Sequence, residues 1–433
     1  MKKITIESLY SIFAIGLNSI SNFVLTYFVA KSLSIESIGA LSFSLSIITF
    51  FTGVLIFGFD SAVGRIFWDT HYYNHRSKIF CTWVYSTGIY SILICLGLYF
   101  ILQNTNTFKI ETYSVGILTY ALIPGKILIF LVSNWIRIEG KSLLFLKLSI
   151  INFILLIFFV CLPAYFLSFH LDQLLTHTFF TTYVFLIFVF YLLRNDLSPI
   201  LFDKEILFEI YNLSKPLILV LSITQLFPFV DRLYIKKFMN EQDLGTYHLH
   251  LTLASIFSMV TSATQQFLGP KVMEIYSNEV NSIKVFNKLR EYTFILFSIL
   301  LLLFIIFAKY LFIFFFPGYK FDLTLFSLIV YNFLLVFLFS FSNYSLFINK
   351  NNRIIANGWY IAFIIKIFIL AVLYEHVNTY SLMLASSISY IFLILYLYKK
   401  SQESLKIWVN QWSYLFLNLI LVFTIITLIY FYE

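Results

Sequence analysis

Charge is scarce in this sequence. Of its 433 residues only 12% are Asp, Glu, Lys or Arg, against roughly 25% in an ordinary soluble domain, while 60% are hydrophobic. A soluble fold of this length could not bury so much apolar surface, which excludes a water-soluble globular protein. Cysteine is nearly missing: Cys81, Cys95 and Cys161 show no metal-like spacing, and each lies in or beside an apolar run. They read as thiols of a membrane core, so no resident metal or other cofactor is expected. The chain lacks a G-x-x-x-x-G-K-[ST] loop, an H-E-x-x-H, a G-x-S-x-G and any Cys–His cluster, so neither P-loop nucleotide hydrolysis nor the common hydrolytic chemistries have residues to run on. No enzyme is expected. A block of Lys and Arg is missing as well: the net charge of +8 is scattered singly between apolar runs, which argues against a nucleic-acid partner.

What the sequence has is apolar length. Runs long enough for a hydrocarbon core of about 30 Å, which takes about 20 helical residues, predict thirteen membrane-spanning helices near 8–30, 40–58, 79–102, 113–134, 147–169, 174–193, 214–235, 246–268, 292–315, 323–348, 354–374, 379–398 and 412–432. The runs are continuously apolar and lack the alternation of a transmembrane strand. The stretch after Lys2 and Lys3 is too long for a signal-peptide core of roughly 7–15 residues and reads as an uncleaved first helix. The longest connections, near 194–213 and 270–291, leave no room for a soluble domain.

Positive charge orients the spans, because cytoplasmic loops hold the excess of Lys and Arg. With the N-terminus cytoplasmic, 20 of the 29 basic residues fall on the inner side and 7 on the outer, with Lys126 and Lys366 inside helices. The expectation is a multi-pass protein of a bacterial inner membrane.

The chain also repeats itself. A shift of 206 residues aligns YFVAKSLSIESIGALSFS, from Tyr27, with LYIKKFMNEQDLGTYHLH, from Leu233, so that Lys31 meets Lys237, Ile38 meets Leu244 and Gly39 meets Gly245. Six spans separate the copies, which gives both the same orientation, as in transporters whose halves are related by an axis along the membrane normal. The expected fold is all-α: two pseudo-symmetric six-helix bundles around a central cleft, residues 1–203 and 204–398, followed by a basic connector and one extra helix over 399–433.

The first hairpin, with FGFDSAVGR after it, and the second copy beginning DRLYIKKF at Asp231 together resemble the polysaccharide and O-antigen flippases of the multidrug/oligosaccharidyl-lipid/polysaccharide exporter superfamily. The resemblance runs over about residues 1–398. It implies a V-shaped pair of six-helix bundles alternating between inward-open and outward-open states, carrying an undecaprenyl-diphosphate-linked oligosaccharide such as an O-antigen or capsule unit for lipopolysaccharide or capsule assembly. The partners implied are the lipid-linked oligosaccharide, membrane lipid and other polysaccharide-assembly membrane proteins. Members usually cross twelve or fourteen times, so thirteen spans depart from the pattern at the C-terminal end.

Candidate residues are polar groups that the membrane makes costly. A charge at the centre of a spanning helix costs at least about 2.5–3.5 kcal/mol and is therefore paired, snorkelling or facing water. Lys126, in ALIPGKILIF, lies about 16 Å along a helix from Arg137, and Lys366, in FIIKIFIL, lies nine residues from Glu375. Facing a cleft, either would attract a diphosphate; otherwise it makes a structural polar contact or snorkels. Pro124 and Gly125 either loosen the helix at Lys126 or form a packing kink. Asp231 and Arg232 are adjacent, hence about 100° apart on a helix and not an obvious mutual ion pair. Asn18 and Asn22 share one face of the first helix, to line the cleft or to bond a neighbour. Asp60, Arg65 and Arg137 sit at inner helix ends, where the two arginines are positive-inside anchors or, with Asp60, parts of a gate.

Without a nucleotide site, net movement draws on an H+ or Na+ gradient, on consumption of substrate at the far side, or on a partner. Two other readings stay open. A small-molecule exporter fits the spans, although two lysines and no clear mid-membrane Glu suit cationic cargo poorly. A membrane glycosyl enzyme, an O-antigen polymerase or ligase, handles the same carriers but resembles chains with long outer loops.

Overall fold

The computed structural model describes residues 2–67, 76–102, 113–194, 202–278, 282–348, 352–373 and 378–404, and these are helical with short connections. The order is α1 (Lys2–Ala30), α2 (Ile35–Leu55), α3 (Phe59–Phe67), α4 (Arg76–Leu102), α5 (Tyr113–Ile138), α6 (Ser142–Leu156), a π-helical turn (Ile157–Cys161), α7 (Leu162–Leu167), α8 (Leu171–Leu192), α9 (Lys204–Phe238), α10 (Glu241–Asn278), α11 (Ser282–Phe315), α12 (Leu323–Ile348), α13 (Asn352–Val372) and α14 (Thr379–Ser404). Twelve of the thirteen expected spans coincide with these helices; α6, the π turn and α7 together form one. The thirteenth, 412–432, lies outside the described residues, as does most of the connector before it. Among the described residues, ten helices are long and apolar enough to cross a membrane.

Two expected connections are largely helix instead. Residues 204–213 are the start of α9, and 270–278 belong to the end of α10. Helices of 35 and 38 residues are roughly 52 and 57 Å long at the helical rise of 1.5 Å, well beyond a hydrocarbon core of about 30 Å. Hydropathy registers only the apolar portion of such a helix. What starts α9 is Asp203, whose Oδ1 accepts from the backbone N–H of Glu205 and Ile206 at 2.9 and 3.3 Å, satisfying first-turn donors that have no helical partner.

The short α3 was not foreseen. Phe59, Ala62, Val63, Ile66 and Phe67 are buried, a spacing that places them on one helical face, with Arg65 exposed on another. The ring of Phe67 meets the edge of Trp135 on α5 at 5.3 Å, and Trp135 stacks on Phe80 of α4 at 4.7 Å. Nine residues are too few for a hydropathy window tuned to membrane thickness.

The chain divides into two compact units, Met1–Gly245 and Thr246–Glu433. In the first, α9 packs on α2, α3 and α4, while α1 packs on α6 and α5 on α4, α2 and α8. In the second, α14 packs against both α12 and α13, and α11 lies on α12. A polar knot ties the start of α12 in this second unit to α10 and α14. Asp322 accepts from the N–H of Leu325 at 2.9 Å, capping α12, and takes a hydrogen bond from the Tyr380 hydroxyl on α14. Its own backbone N–H donates to His250 Nε2 on α10 at 2.8 Å. His250 Nδ1 faces the Thr246 carbonyl at 2.8 Å, and the ring stacks on Phe321. A ring that donates from Nδ1 to a carbonyl and accepts at Nε2 is a neutral, fully satisfied structural histidine.

Candidate functional site

The repeat read from the sequence is present as matched geometry. Helices α2 and α10 begin at Ile35 and Glu241, 206 residues apart, and their capping residues are repeat-equivalent too. Ser34 Oγ accepts from the N–H of Ser37 at 3.3 Å, and Asn240 Oδ1 accepts from the N–H of Asp243 at 2.7 Å. Both serve the N–H three residues on, which fixes each hairpin in the same way.

The two helix starts touch each other reciprocally. A Cβ on Gly39 would strike the carbonyl oxygen of Glu241, and a Cβ on Gly245 would strike that of Ile35. Ile35 is the repeat equivalent of Glu241, so each glycine lies against the other helix at the same place. Between them, Gln242 Nε2 donates to Glu36 Oε1, and these two positions are again 206 apart. The sequence pairing of Gly39 with Gly245 showed that these residues correspond; it did not show that they meet. Glu36 and Gln242 were not singled out, although the same shift pairs them.

Below this contact α2 and α9 stay close-packed. Phe229 stacks on Phe50 at 4.5 Å, Lys236 Nζ lies 4.3 Å from the centre of the Phe43 ring, and the Gln225 side chain fills the space beside Gly53. Asp231 lies in this segment of α9, 5% exposed and engaged by neighbouring groups. Arg232 points elsewhere and is half-buried, with its Nε lacking a hydrogen-bond partner among the described residues. The two do not form one site, as their angular separation on a helix requires.

The remaining candidates are dispersed. Lys126 on α5 is half-buried and makes no hydrogen bond or ion pair to another described residue, whereas Lys366 on α13 is 0% exposed and engaged by another group. In this conformation no solute reaches the Lys366 ammonium. At Pro124 and Gly125 the helix is packed, not loose: Gly125 abuts Thr182 and Tyr183 of α8, and the Tyr183 hydroxyl donates to the Ala121 carbonyl at 2.8 Å. Asn18 and Asn22 are both exposed on α1.

At the helix ends, Asp60 Oδ1 is buried without a hydrogen-bond partner, and the carboxyl makes no ion pair among the described residues. Burial raises its pKa above the ordinary carboxylate value, opposed by the backbone N–H groups of Ser61 and Asp60 itself. Arg65 is exposed, and Arg137 is exposed with Nη1 donating to Asn134 Oδ1 at 3.5 Å. The structure therefore brings together Gly39, Gly245, Glu36 and Gln242 at one contact, and Asp231 lies on α9 about 200° around the helix from Phe229, away from the face that packs on α2. No group of His, Cys, Asp and Glu among the described residues could hold a metal ion.

No protein-family model matches the chain, and no curated relative matches its sequence. Solved structures do match its fold. The chain is similar to the MATE multidrug transporter DinF-BH at 14% identity and a TM-score of 0.66, over 92% of this chain and 95% of that one. It is similar to a multidrug resistance MATE family transporter of the MOP superfamily in an outward-facing conformation, at 13% identity and a TM-score of 0.59, over 92% and 93% of the two chains. An inward-facing conformation of a transporter so described matches at 13% identity and a TM-score of 0.57, over 90% and 95%. The fold is thus the all-helical MATE-like fold of two six-helix halves.

Proposed function

We propose that this chain is a multi-pass membrane transporter working by alternating access, and that its cargo is a small organic molecule exported against an H+ or Na+ gradient. The observation that carries the reading is the reciprocal contact between the starts of α2 and α10. Two repeat-equivalent helix ends meet through bare backbone, with one side-chain hydrogen bond across them. Such a contact seals tightly when closed and leaves few groups unsatisfied when it parts, because both helix starts keep their own caps. The MATE-like fold, matched over nearly its full length by transporters solved facing either way, supports the same mechanism.

Asp231 supports a cationic cargo. The sequence offered no clear mid-membrane glutamate, but the structure buries this aspartate within an apolar span of α9, Ile218–Phe238. A carboxylate within such a span is costly unless it is paired or serves a cation or a proton, and Asp231 is already engaged by another group, for which a cation or proton would compete. We assign it the role of exchanging cargo for the coupling ion, with the N-terminus of the chain on the cytoplasmic side of a bacterial inner membrane.

A second reading keeps an undecaprenyl-diphosphate-linked oligosaccharide as cargo. It is favoured by the hairpin resemblance and by Lys126, a half-buried ammonium inside a spanning helix that suits an anion. One experiment separates the two. Cells expressing Glu36→Cys/Gln242→Cys are loaded with a fluorescent lipophilic cation, and efflux is followed with and without oxidant. Arrest by oxidant and recovery with reductant support the exporter. Absence of efflux in the wild type, with lipid-linked sugar accumulating in a null strain, transfers the mechanism to the flippase reading. Efflux that continues with the disulfide formed refutes alternating access through this contact.

A further inference from the structure

Helix α3 is joined to the chain in a way that lets it move as one piece. Helix α2 ends at Leu55 and α3 begins at Phe59, and between them Phe57 and Gly58 stand at φ 53 and φ 67, two successive left-handed residues that break the helix. On one side of this turn the chain is pinned, because the Tyr90 hydroxyl of α4 donates to the Leu55 carbonyl. On the other side α3 is nine residues long, and its first turn closes from the Ala62 N–H to the Gly58 carbonyl at 3.4 Å, beyond the usual range of about 2.7–3.2 Å. A groove of about 650 Å³ opens beside the turn, lined in part by Phe57, Phe59 and Tyr90. The turn therefore borders free space and not only packed core.

What docks α3 is its apolar face, and Asp60 stands at the edge of that face. It shares a flank with Gly64 and Phe67, four and seven residues on, and these meet α5 at Ile138 and Trp135. Docking thus carries the carboxyl into the protein, where Oδ1 is shut from water with no hydrogen-bond partner among the described residues. An ionised carboxylate so placed is costly, and a carboxylic acid much less so. The helices packed against α3 do not neutralise it. Arg76, Lys78 and Tyr90 lie on α4, Arg137 on α5, and Lys204, Glu205, Glu209 and Tyr211 on α9 before its apolar span, and Asp60 pairs with none of them. Arg76 lies over the Phe67 ring at 4.2 Å, Arg137 donates to Asn134, and Glu139 after α5 is paired with Lys141 at 2.8 Å. On α3 itself Arg65 is exposed on a different face. Burial accordingly holds the Asp60 carboxyl above its ordinary value.

We propose that α3 is a pH-sensitive flap, docked while Asp60 holds its proton and released about the Phe57–Gly58 turn when the proton leaves. The docked form binds that proton more tightly than the released form, in which water reaches the carboxyl. By linkage the released population grows as pH rises from the ordinary carboxyl value of 3.8 to the raised one, and is constant beyond it. Release uncovers the surfaces of α4, α5 and α9 on which α3 packs, so one proton is coupled to the packing of three long helices. The inference rests on neither the cargo nor the direction of transport, since it concerns the first unit alone.

The test is labelling of the full-length protein in detergent by dithiodipyridine, a thiol reagent that works in acid as well as at neutral pH. The rate in Val63→Cys, wholly buried on α3, is divided by the rate in Arg65→Cys, exposed on the same helix, which cancels the reagent's own pH dependence. Between pH 4 and 8 the ratio rises by at least about fivefold, the low end of typical couplings between a ligand and a conformation. With Asp60→Asn added, the ratio stays at its acid value throughout. Ala62→Cys, buried on the same face, is a second probe that keeps the test intact if Val63→Cys itself disturbs docking. Ile48→Cys, buried on α2 at the pinned side of the turn, stays protected at every pH. A flat ratio for both α3 probes overturns the proposal, as does a rise that survives Asp60→Asn. A rise at Ile48→Cys equal to that on α3 also overturns it, because the whole unit is then loosening.

Discussion

Substituting Gly39 by Ala tests the reciprocal contact at its tightest point. The added methyl would stand 2.1 Å from the Glu241 carbonyl oxygen, where ordinary non-bonded contacts with carbon sit at about 3.5 Å or beyond. The partner is backbone, so no rotamer change relieves the overlap, and the two helix starts must separate by roughly 1 Å or more. Overpacking of this kind costs typically about 1–3 kcal/mol. The cost falls only on the conformation that holds the contact, so the ratio of parted to closed molecules rises by about 5- to 150-fold. A cysteine at Ser37, half-buried beside the contact, reads this as the rate of labelling by an impermeant thiol reagent; native Cys81, Cys95 and Cys161 are buried and contribute little background. Gly97→Ala on α4, which meets nothing within 4 Å, serves as the control and leaves the rate unchanged. Gly39→Ala/Gly245→Ala shows less than the sum of the single effects, because one separation relieves both overlaps. Unchanged labelling in both single variants, with normal melting temperatures, refutes the reasoning.

Further outcomes follow from the same structure. Asp60→Asn removes a pH dependence of stability: with its folded pKa raised above the ordinary 3.8, the native carboxyl contributes most below that value and loses its contribution as pH rises through the raised one, so the variant melts higher than the wild type at neutral pH, as read by fluorimetry across pH 4 to 8. Tyr380→Phe deletes a hydrogen bond to the Asp322 carboxylate and lowers stability by about 1.5–3 kcal/mol, measured by thermal melting in detergent. Lys366→Ala lowers the melting temperature and membrane abundance because the side chain is wholly enclosed, whereas Lys126→Ala spares both and changes transport alone; the opposite assignment would exchange their roles.

The spans were legible because burying a helix in hydrocarbon leaves a mark about 20 residues long that composition alone reveals, and α1, α2, α4, α5, α8, α11, α13 and α14 fall where that mark predicts. The shift of 206 residues was legible for a similar reason, since Lys31 and Gly39 with their counterparts stand out against Leu and Phe. Helix α3 and the polar ends of α9 and α10 were not, because amphipathic helix outside the hydrocarbon has the composition of a loop. The site was only partly readable. Asp231 and Lys126 were visible as charges in apolar runs, but nothing in their neighbourhood told that one is buried and the other half-open. The knot of His250, Asp322 and Tyr380 joins residues 72 and 58 apart in the chain, and no local spacing announces such a closure.

The meeting of α2 with α10 has the form of an isologous interface, in which one patch faces a copy of itself. In a homodimer each position on the two-fold axis would face its own kind, so a glutamate there would confront a glutamate and an amide an amide. Here a carboxylate, Glu36, accepts from an amide, Gln242, at repeat-equivalent places. A symmetric pair of separate chains encodes both sides by one codon and cannot make that match. In a single polypeptide the two positions have separate codons, and the Glu36–Gln242 bond uses that independence.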